Sequence, residues 1–456
     1  MKFLNRNKEI SRLRKSFKSD GFRLIVIYGR RRLGKTRLLQ QIAKDDDIYF
    51  IADQRESIVQ IQSLAKQIAV KNKDFDRVSY PDWLSLFISL AKWTDKRRTL
   101  FIDEFPYLVK NKPELPSIIQ KLIDNEENLP FNLVLCGSSQ QMMQKMVIDQ
   151  NAALYGRAHE IIKINPMNIY WLKEALACSY EDAIEEYSVW GGVPRYWEIR
   201  QKAGSFQEAI INQVFDFHGL LHEEPLRLFL DDTRDSVQMH TLISIIASGA
   251  SRLSEIGSRI GKPVTQLNRP LQRLIELGYI KREIPFGLSK RNTKKSLYKV
   301  ADPFMHFYYK FVIPEKTSLE LGHTEQIYDH VLKESFSDYC SEIWEELCRL
   351  AVPALMKSTL FTAGERWWGN DLLNKPSEID IVAESRNKKE ILLGEAKWSS
   401  SRNILAVMKK LDHKSQFLPF TKGKTIHKVL FLKSKPAKVP EDYIIFTPKD
   451  VVEALL

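Results

Sequence analysis

The residues Gly29-Arg30-Arg31-Arg32-Leu33-Gly34-Lys35-Thr36 have the spacing G-x-x-x-x-G-K-[ST]. Glycines at this spacing let backbone N–H groups curl around phosphate oxygens. Lys35 brings an ammonium to the β- and γ-phosphates, and the Thr36 hydroxyl suits Mg²⁺ coordination. A helix starting just after the loop favours the same anion at its N-terminus. Gly29, Arg32, Leu33, Gly34, Lys35, Thr36 and Arg37 are therefore the expected nucleotide-binding residues, with ATP and Mg²⁺ as the expected cofactors. The run Arg30 to Arg32 is unusually basic for such a loop.

A second apolar run, Thr99-Leu100-Phe101-Ile102, ends in Asp103 and Glu104. At the end of a strand beside a phosphate cradle, Asp103 is expected to hold Mg²⁺, directly or through water. Glu104 is expected to polarise the attacking water. A third run, Phe131 to Cys136, ends in Gly137-Ser138-Ser139. Parallel sheets bind ligands at the carboxyl ends of their strands, so Ser138 or Ser139 is placed to reach the γ-phosphate or the water. An ordinary turn is the competing reading of those serines.

A separate constellation lies late in the chain. Ser377 to Ala383 alternates as a strand, Glu390 to Trp398 reads as another, and the polar turn Ser385-Arg386-Asn387-Lys388-Lys389 lies between them. A hairpin symmetric about that turn sets Asp380 opposite Glu395. Glu395 and Lys397 are two apart and share a face. Two carboxylates and an ammonium converging on one point suit metal-assisted phosphodiester hydrolysis. Asp380 and Glu395 would hold Mg²⁺ and Lys397 would orient water. Glu342, in an expected helix Phe336 to Leu350, is a further candidate metal ligand.

The elements positioning these residues carry uneven charge. The 456 residues have a formal net charge of +12. Residues 252–299 hold twelve Lys and Arg against three acids, and residues 397–438 hold eleven against one. Two such segments favour a polyanionic partner, here DNA. The first coincides with three expected helices, Val237 to Ser248, Ser254 to Gly261 and Val264 to Leu277. Two strands, Tyr279 to Glu283 and Ser296 to Val300, follow around a basic loop. Three helices and a basic hairpin make a winged helix-turn-helix, whose third helix enters a major groove while the wing touches phosphate. Gln266, Asn268, Arg269, Gln272 and Arg273 would face DNA from the helix, and Lys281 and Arg282 from the wing. Packing without DNA contact is the competing role for such a module.

The chain resembles the archaeal-type ATPases, a STAND branch of the AAA-related P-loop proteins. The resemblance rests on Phe3-Leu4-Asn5-Arg6-Asn7-Lys8-Glu9, on Gly29 to Thr36, on Phe101 to Glu104, and on Leu135 to Ser139. It extends to Leu154-Tyr155-Gly156-Arg157, to Trp190-Gly191-Gly192-Val193-Pro194-Arg195-Tyr196, and to Ala301 to Tyr309. It implies that Arg157 senses phosphate, in its own subunit or in a neighbour's within a homo-oligomer. It also implies that Pro194 lies near the base. The later constellation, with Trp367-Trp368 before it, is similar to the PD-(D/E)xK nuclease superfamily, although no Pro precedes Asp380.

The expected fold is α/β: a P-loop parallel-sheet ATPase core (1–165), a helical lid (166–235), a winged helix (236–312) and a restriction-endonuclease-like α/β domain (313–456). No apolar run approaches the roughly 18 residues of a membrane span. Met1 to Arg6 turns polar too early for a secretory signal. Cys136, Cys178, Cys340 and Cys348 form no C-x-x-C pair. They read as free thiols of a reducing cytoplasm, with no zinc or disulfide framework. The expected function is an ATP-hydrolysing P-loop enzyme controlling a DNA-binding, Mg²⁺-dependent nuclease domain. The alternative is a nucleotide-dependent switch on DNA or protein, with an inactive nuclease-like domain.

Overall fold

A computed structural model describes residues 3–93, 97–125, 129–150, 152–232, 236–289, 295–398, 404–436 and 440–456. The chain divides into two compact units, residues 2–166 with 231–233, and residues 167–230 with 234–456.

The first unit is built on five parallel strands: β1 (Leu24–Tyr28), β2 (Ile48–Ile51), β3 (Arg98–Asp103), β4 (Phe131–Gly137) and β5 (Glu160–Lys163), in the order β2-β3-β4-β1-β5. Strands covered on both faces read as continuous apolar runs. Accordingly β1 and β4 are buried along their whole length and β3 along all but its first residue. Helices Ser57–Ala69, Trp83–Trp93 and Leu115–Asn125 bring Leu64, Phe87 and Ile119 into the core beside these strands.

The second unit begins with helices Ile169–Leu176, Tyr180–Trp190 and Pro194–Lys202. These occupy the segment expected as a lid, and they share a core with the C-terminal part of the chain. Tyr339, on the long helix Lys333–Leu355, donates its hydroxyl to the Ser188 carbonyl at 2.7 Å. Asn168 donates to the Leu455 carbonyl at 2.9 Å. Three of their aromatic side chains are core: Trp190, Tyr196 and Trp197 are fully buried, and Tyr196 packs against Phe304 at 4.6 Å between ring centroids, whereas Tyr170, Trp171 and Tyr180 are half-buried.

Helices Ser236–Ala247, Leu253–Ile260 and Val264–Glu276 follow, then the antiparallel pair β6 (Ile280–Glu283) and β7 (Leu297–Val300). Residues 290–294 of the expected basic loop lie outside the described residues. The third helix buries Leu267, Leu271 and Leu274 along one stripe, which leaves its polar face outward.

The C-terminal sheet has strands β8 (Glu365–Asn370), β9 (Pro376–Glu384), β10 (Glu390–Lys397), β11 (Thr425–Leu432) and β12 (Tyr443–Phe446), in the order β12-β11-β10-β9-β8. It is mixed: β8, β9 and β10 run antiparallel in turn, whereas β10, β11 and β12 are parallel. The β9–β10 register pairs Ile391 with Glu384 and Gly394 with Ile381, as symmetry about the turn requires. Helix Ile404–Phe417 packs Met408 and Leu411 with Leu393 and Leu430. From the long helix, Trp344 meets Trp398 at 5.4 Å. Among the described residues no helix is long and apolar enough to cross a membrane.

Candidate functional site

Strand β1 runs directly into the phosphate-type loop. A Cβ at Gly29 would lie 2.4 Å from the Ile164 carbonyl oxygen, so the strand can leave the sheet here only through glycine. Gly34 turns the chain with φ +84° and caps helix Lys35–Ile42. Lys35 is 5% exposed, and its Nζ donates to the carbonyls of Gly29 at 2.8 Å and Arg30 at 3.0 Å. The lysine thus spans its own loop. Leu33 is core, so only its backbone faces a ligand, whereas Arg37 lies exposed on the helix. Arg31 donates to the Tyr107 hydroxyl.

The end of β3 meets the loop across β4. Thr36 Oγ1 donates to Asp103 Oδ2 at 2.7 Å, and Tyr49 Oη donates to the same oxygen at 2.9 Å. The Glu104 N–H donates to Oδ1 at 2.9 Å, so the buried Asp103 carboxylate is held on both oxygens. Burial, reinforced by the Asp103 and Glu104 charges, pushes the Tyr49 phenol far above its usual range, so it stays a donor. Glu104 takes φ 55°, a left-handed conformation that costs a non-glycine residue about 1–2 kcal/mol. Such strain clusters at functional sites. Here it turns the Glu104 carboxylate toward β4, where Oε1 accepts from Ser138 Oγ at 2.6 Å and Oε2 from the Ser138 N–H at 3.2 Å. Of the two candidate serines, Ser138 is the one engaged with Glu104.

Two residues of this site follow from contacts that spacing does not signal. Tyr49 is one of them. The other is Arg6, 5% exposed, which donates to the Asn165 carbonyl at 2.7 Å and the Leu33 carbonyl at 3.4 Å and so supports the loop. Arg157, expected at phosphate, instead gives its guanidinium to Asp124, with Nε and Nη2 donating at 2.8 and 2.7 Å. A surface carboxylate on helix Leu115–Asn125 satisfies the fork that a γ-phosphate would need. Pro194 is buried at the first turn of its helix, within the second unit.

In the second unit, β9 and β10 place Asp380 and Glu395 side by side, 8% and 7% exposed. Lys397 Nζ donates to Asp380 Oδ2 at 2.6 Å and to Glu395 Oε2 at 2.8 Å. The Ala396 N–H donates to Asp380 Oδ2 at 3.1 Å, and Arg349 Nη1 to the Asp380 carbonyl at 3.0 Å. Burial pushes the Asp380 carboxyl up, but Lys397 and the hydrogen bonds outweigh it and hold it below the usual range. Burial likewise pulls the Lys397 ammonium down, and Asp380 and Glu395 more than reverse this. Both groups therefore stay charged at neutral pH.

A second cation joins them. Lys414, on helix Ile404–Phe417, donates to Glu395 Oε1 at 2.7 Å and to the Glu378 carbonyl at 2.6 Å. Nothing in a lysine-rich helix marks which lysine turns inward. Glu342, expected as a ligand here, points elsewhere: Lys310 donates to it at 3.0 Å. Glu345, three residues on, is the helix acid that senses the centre, since burial and then the Asp380 charge raise its carboxyl. Among the described residues no three His, Cys, Asp or Glu side chains gather closely enough to hold a metal ion alone. Two carboxylates fit Mg²⁺ nonetheless, because that ion keeps several waters and takes one or two carboxylates plus substrate phosphate oxygens.

Of the residues expected at DNA, Gln266 and Arg269 are exposed on the third helix, whereas Arg273 is half-buried. Lys281 and Arg282 alternate across β6. Arg282 is exposed, but Lys281 turns inward to Glu283, at 3.2 Å, and to Glu346. That removes Lys281 from an outward-facing surface.

Residues 3–198 match the family described as an ATPase domain predominantly from Archaea. Residues 308–409 match a family described as Archaea bacterial proteins of unknown function. An uncharacterized protein of Methanocaldococcus jannaschii is 29% identical over 427 residues, 91% of this chain and 92% of its own. Among solved structures, a Walker-type ATPase of Pyrococcus abyssi aligns with a TM-score of 0.52 at 20% identity, covering 68% of this chain and 96% of that one. The ORC2 protein of Aeropyrum pernix aligns with a TM-score of 0.46 at 12% identity, covering 70% and 96%. Residues 3–198 thus carry an archaeal-type P-loop ATPase domain, joined to a separate C-terminal mixed-sheet domain.

Proposed function

We propose that this chain hydrolyses ATP in its first unit and uses that cycle to control a DNA-directed, Mg²⁺-dependent nuclease centre in its second. The observation that carries the second half is the set Asp380, Glu395 and Lys397, both carboxylates buried and the ammonium 2.6 and 2.8 Å from them.

In the first unit, Lys35 and the loop amides would hold the phosphates of ATP, and Thr36 and Asp103 its Mg²⁺. Bound Mg²⁺ supplies charge neutralisation on the transferring phosphoryl group. Glu104 Oε1 takes the proton of the attacking water, and Ser138 fixes the direction of that carboxylate. In the second unit, Asp380 and Glu395 would hold Mg²⁺, which there lowers the pKa of water. Lys397 orients the nucleophile and offsets charge on the phosphodiester. The three helices and the β6–β7 hairpin fit a winged helix-turn-helix, with Gln266, Arg269 and Arg282 outward to DNA. Hydrolysis in the first unit would bias access of DNA to the second.

A second reading is favoured by Lys414. With Lys397 it sets two ammonium groups against two carboxylates, a balanced cluster that needs no metal. On that reading the chain is a nucleotide-dependent switch that binds DNA without cutting it. Incubating linear, nicked and branched DNA with Mg²⁺ or Mn²⁺, with and without ATP, separates the two. The nuclease reading expects products that disappear in Asp380→Ala and Glu395→Ala. The switch expects ATP-dependent association and no product.

A further inference from the structure

Between the third helix, the β6–β7 hairpin and strand β8 runs a groove of about 990 Å³. Its charged lining is Arg252, Arg282 and Lys295, and among the described residues no Asp or Glu lines it. The neighbouring cavity of about 570 Å³ has a mixed lining instead, in which Lys281 and Lys310 meet Glu346 and Glu342 in ion pairs. The groove also presents two amide side chains, Asn268 and Asn370, and two aromatic residues, the buried Tyr298 and the more open Trp368.

The two tryptophans of β8 part company by strand alternation. Trp367 is core and packs on Phe420 at 5.4 Å. Trp368 turns to the groove, half-buried, with the Arg366 guanidinium 5.7 Å from its ring centroid. Cations along a groove with an aromatic face between them make up a platform for single-stranded nucleic acid. A duplex keeps its base faces stacked inside and offers only edges and phosphates. A tryptophan face therefore has a partner in a single strand and none in a duplex. Trp368 pairs across the strands with Glu378, two residues before Asp380 on β9. At about 3.3 Å per residue, a base on Trp368 would lie about 7 Å along the strand from the carboxylate centre.

We infer that this groove binds a single nucleic-acid strand, with a base stacked on Trp368 and the backbone on Arg252, Arg282 and Lys295. This rests in part on the DNA-directed reading above and names the form of its substrate. Strand binding needs no metal, however, so the two can fail separately.

The test is fluorescence anisotropy of the full chain with labelled oligothymidine of about 12 nucleotides, a length within the usual span of such sites. It is run in EDTA, without ATP, beside a duplex of equal length. Trp368→Ala should weaken strand binding by about 5- to 100-fold, with Trp368→Phe within about threefold of the parent and duplex binding unmoved. Arg282→Ala, at an exposed position, should flatten the dependence of log affinity on log salt by about 0.7. Wild-type protein that ignores the oligonucleotide overturns the inference, as does unchanged strand binding in both Trp368→Ala and Arg282→Ala. Strand binding that follows this pattern in a protein that never cuts DNA upholds the groove and contradicts only the nuclease reading.

Discussion

The ammonium of Lys397 lies 2.6 Å from Oδ2 of Asp380, 17 positions earlier in the chain. Adjacent antiparallel strands bring them together, with side chains only 15% and 12% exposed. Two buried carboxylates this close would repel each other, and the lysine between them offsets that repulsion and holds the Asp380 carboxyl below its usual range.

Removing that lysine should therefore unfold the domain more readily. Lys397→Met leaves Asp380 and Glu395 without their shared cation and should cost about 3–5 kcal/mol at pH 7 in urea unfolding. The pH dependence should also change sign. In the parent, the lowered Asp380 contributes stability present at neutral pH and lost as the pH falls. In the variant, protonation relieves the repulsion, so stability should rise from pH 7 toward pH 5. A variant as stable as the parent at pH 7 contradicts this account of the cluster.

Glu283 faces Lys281 and Lys299 at 3.2 Å each and Arg349 at 3.9 Å. Burial alone would raise its carboxyl, but the three cations outweigh burial and bring it down to about 2. A carboxyl lowered from 4.5 contributes stability that is complete above pH 4.5 and lost as the pH falls toward 2. Glu283→Gln should cost about 3 kcal/mol at pH 7 and flatten the acid limb between those values. Chemical denaturation at pH 7 and pH 3 measures both.

In the first unit, Lys35→Ala and Glu104→Gln should fail differently. Lys35→Ala should lose nucleotide binding as well as turnover, since the ammonium holds phosphate. Glu104→Gln should bind ATP within about threefold of the parent and lose about 100-fold or more in kcat, because only the proton acceptor is gone. Phosphate release and nucleotide titration read the two effects. Equal losses of binding in both would contradict the role given to Glu104.

Arg157→Ala should do little in an isolated chain. Its partner Asp124 is 44% exposed at the side chain, and exposed pairs contribute about 0–1 kcal/mol. ATP turnover of dilute protein should stay within about threefold. A loss of 100-fold would mean that the arginine leaves Asp124 for the nucleotide.

Much of this was legible in the chain because some chemistry is tied to spacing along it. Strands buried on both faces gave apolar runs with functional ends, which marked Gly29, Asp103 and Ser138. The polar turn at Ser385 to Lys389 fixed the β9–β10 register, and with it the meeting of Asp380, Glu395 and Lys397. What spacing along one element cannot supply is the rotation of a helix about its axis. Glu342 and Glu345 are nearly a full turn apart, and only packing of the long helix decides that Glu345 senses Asp380. Lys414 was hidden among lysines for the same reason. Lys281 and Arg282 differ by one residue of strand alternation, enough to send one inward and the other out. Tyr49 reaches its partner over 54 positions with no local pattern to announce it, and Arg6, although inside the opening motif, has its partner 159 positions on, which the motif does not name.

The central claim is that the Asp380–Glu395–Lys397 centre cuts DNA under control of the ATPase unit. The most direct measurement is product formation from single-stranded and duplex DNA by the full chain with Mg²⁺, in parallel with Asp380→Asn and Glu395→Gln. The account predicts Mg²⁺-dependent cleavage by the parent, altered by ATP, and a loss of about 100-fold or more in each variant while phosphate release from ATP persists. Cleavage at the parent rate in both variants would contradict it, and so would a parent protein that hydrolyses ATP yet yields no product with Mg²⁺ or Mn²⁺.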